Sequence, residues 1–186
     1  MLHEILVAMG SRTPELLRVL LREARGIELA GVEPQPGPQS VVNLNHPPYA
    51  ADAVLLERHG DRIVSGLVYE VQLTKAEEKR IAWPIYMAVL RGTYEVPIRV
   101  VVLTISRAVA RWAAEPIVLD GGSSIIVPTV IGPDQIPSID DPGRPPPLPE
   151  LAVLSTMAHG RGRSAEAIGR AALAAIDPLD PDARTL

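Results

Sequence analysis

The sequence predicts an α/β domain with a central mixed β-sheet flanked by helices, and three observations lead there. Two adjacent apolar runs, residues 51–58 and 62–73, are joined by His59-Gly60-Asp61. A helical pattern over about 75–92 follows, and then a continuous apolar run at 97–104, PIRVVVLT. Strand, helix and strand in that order call for a right-handed crossover onto a parallel neighbour.

The elements in front are helical. Residues 14–25 repeat Leu16, Leu17, Leu20, Leu21 and Ala24 at helical spacing. Thr13 is placed as N-cap, Pro14 takes the first helical position and Gly26 ends the run. Residues 2–9 form a shorter preceding helix. The Pro- and Gly-rich residues 33–40 are expected to be a loop, and 41–44 a short strand.

The loop at 59–61 decides what the hairpin presents. A two-residue connection pairs 59 with 62 and turns Asp52 away from Glu70. A three-residue connection pairs 58 with 62, sets Asp52 against Val68, and places Asp52, Glu70 and Gln72 on one face. Gly60 suits the positive φ that such a loop requires.

Thr74 to Glu77 has the pattern of a capping box, opening a helix from about Lys75 to Gly92 with a kink at Pro84. Ser106 caps a helix over 107–114, and short extended pieces follow at 116–119 and 125–131. From residue 133 to 149 the chain is dense in Pro, Asp and Gly, and is expected to be a linker or surface strap. Helices follow at about 148–158 and 165–176. Asp180-Pro181-Asp182-Ala183 looks like a helix start with nothing behind it, as in the front part of a longer protein. The expected division is 1–135 for the main domain, 136–147 for the strap and 148–186 for a helical C-terminal appendage.

Composition narrows the function classes. Of 186 residues, 47% are apolar, none is Phe or Cys, and 19 are Pro. The core must rely on Val, Leu, Ile and Ala, and thiolate metal sites and disulfides are excluded. The first residues lack the charge pattern of a secretion signal and their apolar run is too short to span a bilayer, so a cytoplasmic protein without a membrane partner is expected. A net charge of −4 argues against a protein that coats nucleic acid. Yet residues 75–115 carry seven Lys and Arg against four Glu, a basic stretch suited to a polyanion. The sequence has no phosphate-binding loop, no nucleophile elbow and no dinucleotide fingerprint. The four His residues show no zinc spacing; His46 alone falls near Asp52.

"LVYEVQL", residues 67–73, sets Glu70 and Gln72 in a run that otherwise looks like buried strand. A buried carboxylate without a partner is costly. Two carboxylates on one hairpin face can hold Mg²⁺ with waters and phosphate oxygens, and Glu-x-Gln adds a third polar group at period two. Trp83 and Tyr86, three apart on the helix, are expected in the core. Lys75 and Lys79 lie one helical turn apart, and Lys79 is placed to reach back over the site.

The Asp…Glu-x-Gln hairpin, followed by a helix with Trp83-Pro84-x-Tyr86 and a buried strand, resembles the PD-(D/E)XK nuclease superfamily over roughly residues 1–135. It is closest to the bacterial Rpn-like recombination-promoting nucleases, once classed with transposases. The resemblance implies a restriction-endonuclease-like core of order α-β-β-β-α-β and Mg²⁺- or Mn²⁺-dependent hydrolysis of DNA. The motif maps onto Asp52, Glu70 and Gln72, with Gln72 where Lys is usual. Lys79 is the substitute cation, and Glu4 on the first helix is a further candidate metal ligand. A homodimer would supply the two sites needed to cut both strands. The alternative is an interaction or nucleic-acid-binding module that keeps the fold without the reaction.

Overall fold

A computed structural model describes residues 1–26, 33–37, 40–41, 49–119, 124–144, 146–162 and 164–177. Helices α1 (Leu2–Arg12) and α2 (Pro14–Arg25) open the chain. Strands β1 (Glu33–Gly37), β2 (Ser40–Val41), β3 (Tyr49–Ala50), β4 (Ala53–His59) and β5 (Arg62–Val71) follow. Next come α3 (Glu77–Tyr94), β6 (Ile98–Leu103), α4 (Arg107–Ala113), β7 (Ile117–Val118), β8 (Ile125–Ile126) and β9 (Thr129–Ile131). Helices α5 (Pro149–His159) and α6 (Ala165–Ile176) end the described chain. No helix among the described residues is long and apolar enough to cross a membrane.

One mixed sheet of order β1-β4-β5-β6-β9 organises the molecule. β1, β4 and β5 are antiparallel neighbours, whereas β6 and β9 run parallel to β5. The crossover from β5 through α3 to β6 gives the parallel pair expected from the sequence. Residues 33–37 are strand rather than loop: they form the sheet's edge, where Pro34 and Pro36 need not donate to a neighbour on both sides.

Two cores lie on the two faces. Leu6, Met9, Leu16, Leu17 and Leu20 of α1 and α2 pack on Leu55, Leu67, Tyr69, Val71 and Leu103. Trp83, Tyr86 and Leu90 of α3 pack with Trp112 on Val54, Val68, Val100 and Val102. Trp83 and Tyr86 are therefore core residues, as their spacing suggests. The alternation along β5 sends Tyr69 and Val71 to one face and Val68 to the other. Each such buried side chain contributes roughly 1.5–3 kcal/mol.

The hairpin differs from its expected form. His59 pairs with Arg62, so Gly60-Asp61 is a two-residue turn, with Gly60 at φ 60°. That register alone would turn Asp52 from Glu70. A bulge intervenes: Arg58 pairs with Ile63 but Glu57 with Ser65, leaving Val64 as the extra residue. Beyond it Ala53 pairs with Tyr69, and Asp52 stands at a bend just before this first paired residue of β4. Asp52 does not take the place opposite Val68 that a three-residue connection would give, and its carboxylate reaches the Val71 N–H and His3 of α1.

The capping box does not form. The N-cap of α3 is Ala76, without a side-chain cap, and Glu77 instead accepts from Trp112 Nε1 at 2.6 Å. The helix continues through Pro84 and closes on Glu95 in the left-handed region. Ser106 does cap α4, accepting from the Val109 N–H. Gly26 closes α2 at φ 61°, while Thr13 at its start donates to Glu150 rather than capping.

The segment after β9 is anchored as a strap. Ile136 is buried with the α1–α2 core, and the Ile139 N–H donates to Ser155 Oγ at 2.9 Å. Leu151 and Leu154 bind α5 to the same core, and α6 packs on α5 through Ala152, Ala172 and Ala175. Residues 42–48, with His46, and the helix start read at 180–183 lie outside the described residues.

Candidate functional site

Glu70 ends β5 on the α3 side of the sheet and is fully buried. Its Oε2 accepts from Lys79 Nζ at 2.7 Å and from Gln72 Nε2 at 3.2 Å. Its Oε1 is buried and has no hydrogen-bond partner. Lys79 comes from the first turns of α3, because the 73–76 connection returns the chain over the end of β5 at once. Gln72 is buried beside them, two residues on and on the same face.

Burial pushes the Glu70 carboxyl above its usual range. The Lys79 ammonium pulls it back, and the Asp52 charge adds to the rise. The cluster is thus one electrostatic unit. Asp52 stands just before β4, mostly buried. Its Oδ2 accepts from the Val71 N–H at 2.7 Å and lies 3.4 Å from His3 Nε2. It takes the place of a strand partner for Val71 and fixes the end of β5.

The structure brings Glu70, Gln72 and Lys79 into contact, and Asp52 is linked to them through its charge on Glu70 rather than by a direct contact. Glu4 is not among them: it is exposed and paired with the Met1 amino group, which holds its carboxyl below the usual range. Its neighbour His3 approaches Asp52 instead. Nothing in the sequence marks His3, since one step along α1 rotates a side chain by about 100° and the helix phase over the sheet is not written locally. Lys75 is exposed and outside the cluster. Trp83 lies against Glu70 and helps hold its carboxyl down, although its N–H has no hydrogen bond of ordinary geometry.

The donor set suits a hard divalent cation. Two carboxylates and an amide oxygen are all oxygen ligands, and the orphaned Glu70 Oε1 is a buried acceptor that lacks a partner. Among the described residues no group of three or more His, Cys, Asp or Glu side chains converges on a common point, so such an ion would need water or substrate oxygens to complete its shell. The second acid is held by a backbone N–H, which orients it without neutralising it.

Comparison of the chain with protein-family models, with curated proteins and with solved structures yields no match.

Proposed function

We propose that the chain is a metal-dependent DNA phosphodiester hydrolase with a restriction-endonuclease-like core. Asp52 and Glu70 would hold Mg²⁺ or Mn²⁺, with Gln72 beside them. The observation that carries the reading is the buried Oε1 of Glu70, which has no hydrogen bond of ordinary geometry, in a carboxylate that also feels the Asp52 charge. The order helix, three antiparallel strands, helix, parallel strand supports it. So does Lys79, which delivers to the cluster the cation that Gln72 lacks.

The metal supplies Lewis acidity toward the phosphodiester when bound. The chain's own groups do the rest. Lys79 pulls the Glu70 carboxyl down against the effect of burial and, from its partly exposed position, meets a phosphate oxygen. Gln72 is placed to orient the attacking water through its amide. Val71 N–H fixes the Asp52 carboxylate. Incubation of plasmid with purified protein and Mg²⁺ or Mn²⁺ should give nicked or linear DNA, and Asp52→Ala should abolish the cleavage. Cleavage that survives the substitution rejects the assigned site.

A second reading is favoured by one observation. Lys79 already neutralises Glu70 from within the fold, as expected of an interaction or nucleic-acid-binding module that has lost the reaction. Calorimetric titration with Mg²⁺ separates the two. Absence of binding, together with a Glu70→Gln variant of higher Tm in metal-free buffer and in Mg²⁺ alike, selects the second.

A further inference from the structure

A cleft of about 460 Å³ lies beyond the carboxyl ends of β6 and β9, against the turn between α5 and α6. Its walls combine two chemistries. Ile105, Ala158 and Ile168 supply an apolar floor, and Arg107, His159 and Arg161 supply polar and cationic groups. The volume falls within the range of small-molecule sites. Arg161 is exposed and has no ion-pair or hydrogen-bond partner among the described residues. Arg107 is paired with Asp134 at 2.9 Å, but both are exposed, and such a pair holds its guanidinium only weakly. The His159 ring is oriented by the contact of Nε2 with the Ile136 carbonyl at 2.9 Å, which leaves Nδ1 as its remaining polar atom.

The position adds to the chemistry. Ile105 follows β6 and Pro133 follows β9, whereas Gln72 follows β5. These three strands are parallel, so the cleft and the Asp52–Glu70 cluster lie along one edge of the sheet. In open α/β sheets that edge is where ligands bind.

We propose that this cleft binds a nucleoside phosphate, with the phosphate on Arg161 and Arg107 and the base or sugar against the partly exposed Ile105 and Ala158. Guanidinium groups match phosphate oxygens in geometry and charge, and an apolar floor of this size has no use for inorganic phosphate alone. The ligand is either a free nucleotide or one nucleotide of a strand. The proposal does not depend on the Asp52–Glu70 cluster performing a reaction.

The test uses the full chain in low-salt buffer with EDTA, so that a failed nuclease reading leaves it untouched. Calorimetry measures dAMP and inorganic phosphate, and fluorescence anisotropy follows a labelled single-stranded oligodeoxynucleotide. The expected result is dAMP binding tighter than phosphate, weakened about tenfold or more by Arg161→Glu. Asp52→Ala leaves it unchanged. Displacement of the oligonucleotide by dAMP assigns the site to a strand; dAMP binding without displacement, or without oligonucleotide binding, assigns it to a free nucleotide. Arg161→Gln guards against a fold defect in the charge-reversed variant and should also weaken dAMP binding. No dAMP binding at millimolar concentration, equal affinity for phosphate, or unchanged affinity in both Arg161 variants overturns the proposal.

Discussion

Replacing Lys79 by Met removes the cation from a carboxylate that no water reaches. The loss has an upper bound that follows from proton linkage. Unfolded Glu70 ionises near 4.5. Stripped of its partner, folded Glu70 escapes the burial penalty by taking up a proton. At pH 7 that costs about 3 kcal/mol, from 2.5 pH units at 1.36 kcal/mol each. In the natural protein burial already raises this carboxyl, so part of the penalty is present before the substitution. The expected destabilisation at pH 7 is therefore about 1–3 kcal/mol. Its pH dependence has a definite sign. A folded-state value above the unfolded one means that the folded chain binds more protons over that window. Stability then falls as pH rises from about 4.5 through the folded value. At pH 5 the same bound is under about 1 kcal/mol. Urea unfolding at pH 5 and pH 7 measures both losses. A Glu70→Gln/Lys79→Met double variant, with no charge left to bury, should recover most of the stability at pH 7. An equal loss at the two pH values, or a double variant no better than Lys79→Met alone, would refute the account of Glu70 as a buried charge held by Lys79.

Two further outcomes test the frame around the site. A Cβ added at Gly10 overlaps the edge of the Tyr69 ring at Cε1 and Cζ, and Tyr69 is buried and donates to the Leu6 carbonyl at 3.0 Å, so Gly10→Ala should cost about 1–3 kcal/mol in thermal unfolding. Gly92 on α3 faces open space, and Gly92→Ala should gain a few tenths to about 1 kcal/mol; a similar loss at both positions would contradict the close approach of α1 to β5. Arg80 donates to the carbonyls of Trp112, Glu115 and Pro116 at 2.9–3.2 Å and so ties the end of α4 to α3. Arg80→Met should cost about 1–2 kcal/mol in urea, since water replaces part of what is lost at the exposed carbonyls, and unchanged stability would deny the clamp.

How much was legible in the sequence depended on whether the signal was local. Helix α2 was visible because its leucine spacing, Pro14 and Gly26 are all within one segment. The β5–α3–β6 crossover was visible because buried parallel strands show as continuous apolar runs. The edge strand β1 was hidden by its prolines, which an edge tolerates and an interior strand does not. The hairpin register was only half legible: Gly60 marks a turn, but no residue type marks the bulge at Val64 that shifts the pairing of β4 with β5. Glu77 looked like half of a capping box because Trp112, its actual partner, is 35 residues away. At the site, Glu70 and Gln72 could be grouped because alternation along one strand fixes them relative to each other, whereas Asp52 depends on the hairpin register. Lys79 could be placed within one turn of a helix that starts close behind. His3 could not, because its approach to Asp52 depends on how α1 sits across the sheet.

Lys79 and Glu70 also bear on what the cluster is for. If their role were only to hold α3 against β5, an apolar pair would do it at least as well, because a buried ion pair rarely repays the desolvation of both charges. The arrangement is poorer still than a closed pair. Lys79 and Gln72 both converge on Oε2, while Oε1 has no hydrogen bond of ordinary geometry and the Trp83 indole N–H beside the carboxylate is unbonded too. A fold optimised for stability alone would satisfy that oxygen or remove it. A half-satisfied carboxylate that also feels the Asp52 charge is compatible with the cation site proposed above. On the proposed metal-binding reading, Lys79 would be the resident counter-charge that opposes the rise burial imposes on the Glu70 carboxyl. That role fixes the order of two effects: divalent cation should raise the stability of the Lys79→Met variant by more than that of the natural protein, because only in the variant must the ion supply all of the compensating charge.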